Sequence, residues 1–180
     1  MAIYTVFESV NMGSTHYAER IFDAVADVDV ENGTFGYLDG LAEGETHVYK
    51  FVAGTKAGEK VVVADQPVWN EDTCLRSNQR KDKFVITAGT KFRVRVVKVN
   101  DEFGITIEGI KDDTQNKMDI GAYLTIDATG KLVAKTATTA DAVMEAVVER
   151  KRMVGGSLTT AAHVYGHSKT MYEARVKTLA

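Results

Sequence analysis

Lys91-Phe92-Arg93-Val94-Arg95-Val96-Val97-Lys98-Val99 is the stretch that decides the fold. Phe92, Val94 and Val96 fall on one face, and Arg93 and Arg95 fall on the other. A period of two is that of a half-buried strand, not of a helix. The Val96-Val97 doublet then moves the apolar phase by one residue, as a β-bulge would. A strand buried on both faces gives the same pattern.

Similar short runs lie on both sides of it. Downstream, Asn100-Asp101 turns the chain into Phe103-Gly104-Ile105-Thr106-Ile107. Ala122 to Asp127 follows, then a turn at Thr129-Gly130 and the run Lys131 to Ala134. Upstream, Asn32-Gly33 leads into Thr34 to Leu38, followed by His47 to Ala53 and Lys60 to Ala64. Near the end, Tyr172, Ala174 and Val176 alternate with Glu173, Arg175 and Lys177, which predicts a closing strand. Many short runs between regular turns predict a mainly β domain, a sandwich or barrel, over residues 29–180.

Two segments read less simply. Asp141 to Met153 as a strand turns Met144, Ala146 and Val148 inward and Glu145 and Glu149 outward. As a helix it has Thr138 and Asp141 at its start and Gly155-Gly156 as a stop. The strand is the favoured reading. From Ser14 to Asp27, Ala18, Ile21, Phe22 and Val25 recur at helical spacing, with Ser14 or Thr15 placed to cap. Residues 1–28 are therefore expected to form an amino-terminal arm containing a short helix, packed on its own domain or laid on a partner.

Bulk composition excludes several roles. The 180 residues carry a formal net charge of −3, with Lys+Arg 22 against Asp+Glu 25. Nucleic-acid binding through many phosphates calls for a basic surplus, so no nucleic-acid partner is expected. No apolar run is long enough for a membrane-spanning helix, and no signal-peptide pattern opens the sequence. The single cysteine, Cys74, cannot form a disulfide within the chain and fits synthesis in a reducing cytoplasm.

No motif demands catalysis or a cofactor. His163 and His167 are four residues apart, but Gly166 lies between them in a glycine- and threonine-rich connection without nearby ligands. Asp112, Asp113 and Asp119 lack the alternating oxygen pattern of a calcium loop. Gly54 to Lys60 mimics a phosphate-binding loop, yet its spacing is wrong and Val61-Val62-Val63 follows as a strand. It reads as a hairpin turn. Cys74 sits in a polar stretch far in sequence from His47 and His163, with nothing local to activate it. No catalytic residue, metal or cofactor is assigned, and the chain is read as non-enzymatic.

The pattern from Val30 to Ala134 resembles the small β-rich proteins that decorate or cement bacteriophage capsids. The resemblance is carried by Val30-Glu31-Asn32-Gly33-Thr34-Phe35 and the glycine-spaced strands through Val61-Val62-Val63. It continues in Ala88-Gly89-Thr90-Lys91-Phe92-Arg93-Val94, Asp119-Ile120-Gly121-Ala122-Tyr123-Leu124 and Asp127-Ala128-Thr129-Gly130-Lys131-Leu132. It implies a virion protein made in the bacterial host cytoplasm and bound to the capsid surface. Its partners would be the phage major capsid protein and neighbouring copies of itself.

The expected contacts lie in two regions. Tyr4, Phe7, Tyr17, Ile21 and Phe22 belong to the amino-terminal arm. Trp69, Arg76 and Arg80 belong to the polar stretch between Asp65 and Lys83, where Trp69 is a candidate aromatic anchor. Competing expectations are a tail, neck or baseplate component, and a carbohydrate- or ligand-binding module using Tyr37, Tyr49, Trp69 and Tyr123.

Overall fold

The alternation along Lys91–Val99 is realised as one wall of a small barrel. In the computed structural model, which describes residues 3–16, 20–68, 80–111, 118–139, 141–154 and 169–180, strands dominate. In chain order these are β1 (Phe7–Asn11), a one-turn helix α1 (Gly13–His16), β2 (Ile21–Val25), β3 (Phe35–Leu41), β4 (Val48–Ala53), β5 (Val62–Ala64) and β6 (Phe92–Val96). After them come β7 (Glu102–Thr106), β8 (Tyr123–Ile126), β9 (Leu132–Lys135), β10 (Met144–Val154) and β11 (Lys169–Leu179). Strands β2-β4-β3-β5-β6 close into a five-stranded barrel, and β1-β7-β11-β10-β8-β9 form a six-stranded sheet. Pairing is antiparallel throughout the sheet. The barrel has one parallel pair, β2 with β4.

The barrel interior is filled by Ala24, Phe51, Val62, Ala64, Phe92, Val94 and Val96. Phe51 meets Phe92 edge to face at 5.5 Å. A β-carbon on Gly36 would come within 2.6 Å of the Phe51 ring, so only glycine leaves that ring its place. A second core lies between the sheet and the outside of the barrel. It joins Phe7, Phe103, Ile105, Leu124, Met144, Ala146, Val148, Ala174 and Val176 of the sheet to Phe35, Val61, Val63 and Val97. Phe7, Phe35 and Phe103 pack ring to ring at its centre, with centroids 5.4–6.5 Å apart. β5 is thus buried on both faces and is the wall that the two cores share.

That shared wall explains the Val96-Val97 doublet. Val96 closes the barrel core while Val97, just past the end of β6, enters the second core. Of the two readings of the doublet, the bulge is not the one that forms, since Val62 and Val96 pair without a register shift. Among the described residues, register shifts occur at Ser9/Asn11, Leu38/Leu41, Glu145/Ala146 and Val148/Arg150.

Three further expectations are corrected. Of the helix expected over Ser14–Asp27, the described residues show one turn at Gly13–His16, and Ile21–Val25 is a strand lying between β4 and β6. Without β2 the barrel could not close, and that pairing outweighs a weak helical period. Among the described residues of 1–28, β1 joins the six-stranded sheet and β2 joins the barrel, with the one-turn helix α1 between them in sequence. Gly54 to Lys60 is not a hairpin turn, because β3 lies between the strands it joins, β4 and β5. Over Asp141–Met153 the strand forms with Met144, Ala146 and Val148 inward, but Glu145 is buried as well. Its carboxylate accepts the Thr139 backbone N–H at 2.8 Å, which replaces the water it gives up.

Candidate binding surfaces

The outer face of the six-stranded sheet carries a continuous chain of alternating charge. Lys81, Glu8, Arg152, Glu173, Arg150, Glu102, Arg175, Glu149 and Lys177 each pair with the next, at 2.6–3.4 Å. Strand pairing builds it. Arg175 stands opposite Glu102 across β11 and β7, and Arg150 stands opposite Glu173 across β10 and β11. The register shift at Val148/Arg150 leaves Glu149 without a cross-strand partner, and its carboxylate reaches Arg175 and Lys177 instead. Among these pairs, a hydrogen bond from Lys177 and the nearby Arg175 charge hold the Glu149 carboxyl below the usual range. The face is charged, yet each of these charges has an opposite partner within the protein.

A smaller network locks the start of β11 to the Asp65–Lys83 stretch. Arg80 grips the buried Asp82 carboxylate with two bonds, Nε to Oδ1 at 2.9 Å and Nη2 to Oδ2 at 2.7 Å. Lys169 lies 4.0 Å from the same carboxylate and donates to Glu108 at 2.7 Å. Burial raises the Asp82 pKa, but the Arg80 bonds and the Arg80 and Lys169 charges outweigh it, so the carboxyl is held below its ordinary value.

The mouth of the barrel is different. A cavity of about 440 Å³ opens there among Phe22, Leu38, Tyr49, Val62 and Val96, with Glu59 and Lys60 at its lip. A second hollow of about 340 Å³ adjoins it, sharing Gly58, Glu59, Lys60 and Val96 and continuing past Val61, Val97 and Lys98 to Leu179. Together they form a groove that crosses from one core to the other. Phe22 and Tyr49 meet edge to face at 5.4 Å, so the aromatic wall is a packed pair. The lip is pinned. Lys56 donates to Asp39 at 2.9 Å and lies 5.2 Å above the Tyr37 ring, tying the β4–β5 connection onto β3. That bond holds the Asp39 carboxyl below its usual range.

The contact residues expected from the sequence separate in space. Phe7 is buried in the second core against Phe103, so it packs the interior. Tyr4 is half-buried, and its backbone N–H donates to the Asp82 carbonyl at 2.9 Å. Ile21 is half-buried in β2 opposite Arg95. Arg80 is engaged with Asp82. Only Phe22 of these lines the groove. Tyr17, Trp69 and Arg76 lie outside the described residues, as do Cys74, His163, His167, Asp112 and Asp113.

Of the proposed sugar-binding aromatics, Tyr37 and Tyr49 are on neighbouring barrel strands while Tyr123 is on β8 of the other sheet. Asp119, considered for calcium, pairs with Lys151 at 2.9 Å. Among the described residues no group of three His, Cys, Asp or Glu side chains is placed to hold a metal ion. No helix among them is long and apolar enough to cross a membrane. Sequence reading missed both the charge ladder and the groove. The ladder had a partial signal in the alternation of Glu173, Arg175 and Lys177, whereas the groove had none.

No protein-family model matches the chain, and neither curated proteins nor solved structures give a match.

Proposed function

We propose that this chain is a non-enzymatic structural protein of a bacteriophage virion, binding the outer surface of the capsid and stabilising the mature shell. The observation that carries the reading is the asymmetry of its surface. The outer sheet face pairs its charges internally, so it gains little from a partner and tolerates water. The barrel mouth leaves apolar side chains half-exposed beside lysines, which is where burial against another protein gains most. The resemblance over Val30 to Ala134 supplies the virion context. Each copy would bury a modest seam between shell subunits, and repetition over the lattice would multiply the effect. A shell that offers the seam only after expansion would be stabilised in that state alone.

A tail, neck or baseplate position rests on the same asymmetry and differs in copy number. The carbohydrate reading is weaker, because Tyr123 stands on a different sheet from Tyr37 and Tyr49. The test is co-sedimentation of the purified protein with expanded and with unexpanded shells. Saturable binding in many copies to expanded shells alone supports the proposal. Equal binding to both, or to neither, contradicts it.

A further inference from the structure

We infer that the β4–β5 connection is a gate over the groove at the barrel mouth, latched by Lys56. As regulation of a binding face it rests on the reading above, although the motion itself does not. Residues 55–60 are all exposed, and Gly58, Glu59 and Lys60 wall both hollows of the groove on the same side. Displacing this one segment would merge the two hollows and uncover Phe22, Leu38 and Tyr49 together.

The segment is anchored firmly at its ends and lightly between them. At its start the Gly54 N–H donates to the Phe35 carbonyl at 3.0 Å, and at its end the Val61 carbonyl accepts the Val97 N–H at 3.0 Å. Gly54 and Val61 are both buried. Between these anchors, and among the described residues, one side chain makes every hydrogen bond, ion pair and ring contact that joins residues 55–60 to the rest of the protein. It is Lys56, which bonds Asp39 and lies above the Tyr37 ring. The backbone bond inside the segment, from the Glu59 N–H to the Lys56 carbonyl at 3.1 Å, closes a turn that moves with it. Lys56 and Asp39 are 48% and 49% exposed, so water and salt compete for both. A segment with fixed ends, exposed residues and one exposed tie opens locally without disturbing either core.

The experiment compares wild type, Asp39→Asn and Lys56→Arg in two measurements. One is amide hydrogen exchange, and the other is stopped-flow uptake of N-phenylnaphthylamine, an uncharged dye that brightens in apolar surroundings. Asp39→Asn should speed both dye uptake and exchange of the amides of residues 56–60 by about threefold, as the loss of one exposed ion pair implies. Lys56→Arg keeps the charge and the ring contact and should match wild type. Molar salt should erase the difference between wild type and Asp39→Asn. Equal rates in wild type and Asp39→Asn at low salt overturn the inference. Faster exchange spread over the strands overturns it too, because the substitution would then loosen the whole fold. Faster exchange at residues 56–60 with unchanged or absent dye uptake also overturns it, since the segment would move without guarding the groove. Failure here would leave the shell-binding result untouched, since that is read on intact particles.

Discussion

Val62 and Val63 are neighbours in β5, yet Val62 lies in the barrel core and Val63 in the core beneath the six-stranded sheet. Both are buried, at 1% and 0% exposure. A strand of three residues therefore joins the two halves of the molecule, and the halves should not melt separately. Val62→Ala and Val63→Ala should each destabilise by about 2 kcal/mol, from lost burial plus the cavity left behind. Denaturant titration followed by both fluorescence and circular dichroism should show one coincident transition in each variant. Two separated transitions would show that the cores are independent.

Gly130 holds the β8–β9 turn against the barrel. Its φ is 78°, its carbonyl accepts the Phe35 N–H at 2.8 Å, and a β-carbon there would collide with the Phe35 carbonyl oxygen. Gly130→Ala should cost about 2 kcal/mol or more, combining left-handed strain with that clash. Gly58 has a φ of 81° with nothing near its β-position. Gly58→Ala should therefore cost only about 1 kcal/mol, from strain alone. Thermal melts of the two variants check the difference, and equal shifts would contradict it.

The sheet ladder should respond to salt. Glu173 is a central member, bonded to both Arg150 and Arg152, and its side chain is 10% exposed. Glu173→Gln should destabilise by about 1–2 kcal/mol at low ionic strength and by less in molar salt, where partly exposed pairs are screened. Stability curves at low and high sodium chloride test this. A loss that does not change with salt would mean that Glu173 acts through packing alone.

Acid should weaken the fold through a small set of carboxylates. Asp82, Glu31 and Glu108 are each desolvated by burial, yet partners outweigh that: Arg80 for Asp82, Thr5 and Lys131 for Glu31, and Lys169 for Glu108. Each folded-state pKa lies below its ordinary value, 3.8 for Asp and 4.5 for Glu. Their stabilisation is complete above those values and is lost as pH falls through the lower, folded-state values. Asp82→Asn should cost about 2 kcal/mol at neutral pH and flatten the acid limb of the stability curve. An unchanged acid limb would remove Asp82 from the account.

Much of the β structure was legible because alternation is local. Phe92, Val94 and Val96 announce a strand from within nine residues, and the same holds for Tyr172, Ala174 and Val176. What escaped depends on partners far along the chain. Ile21 to Val25 has a helical period of its own and becomes a strand only because β4 and β6 wait on either side. The Val96-Val97 doublet left a bulge and burial on two faces equally open, because nothing in the sequence shows a second core behind the barrel. The site was less legible still. Glu8 and Arg152 meet across 144 positions, and the groove collects Phe22, Leu38, Tyr49 and Lys98 from four separate segments. Phe7, expected at a partner, is drawn inward by Phe35 and Phe103.

The most direct test of the central claim is immunogold labelling of purified phage particles with an antibody to this chain. The account predicts dense label over the whole head, as a surface protein present in many copies would give. Label confined to the tail or neck, or no label with the protein left in the soluble lysate, would contradict it.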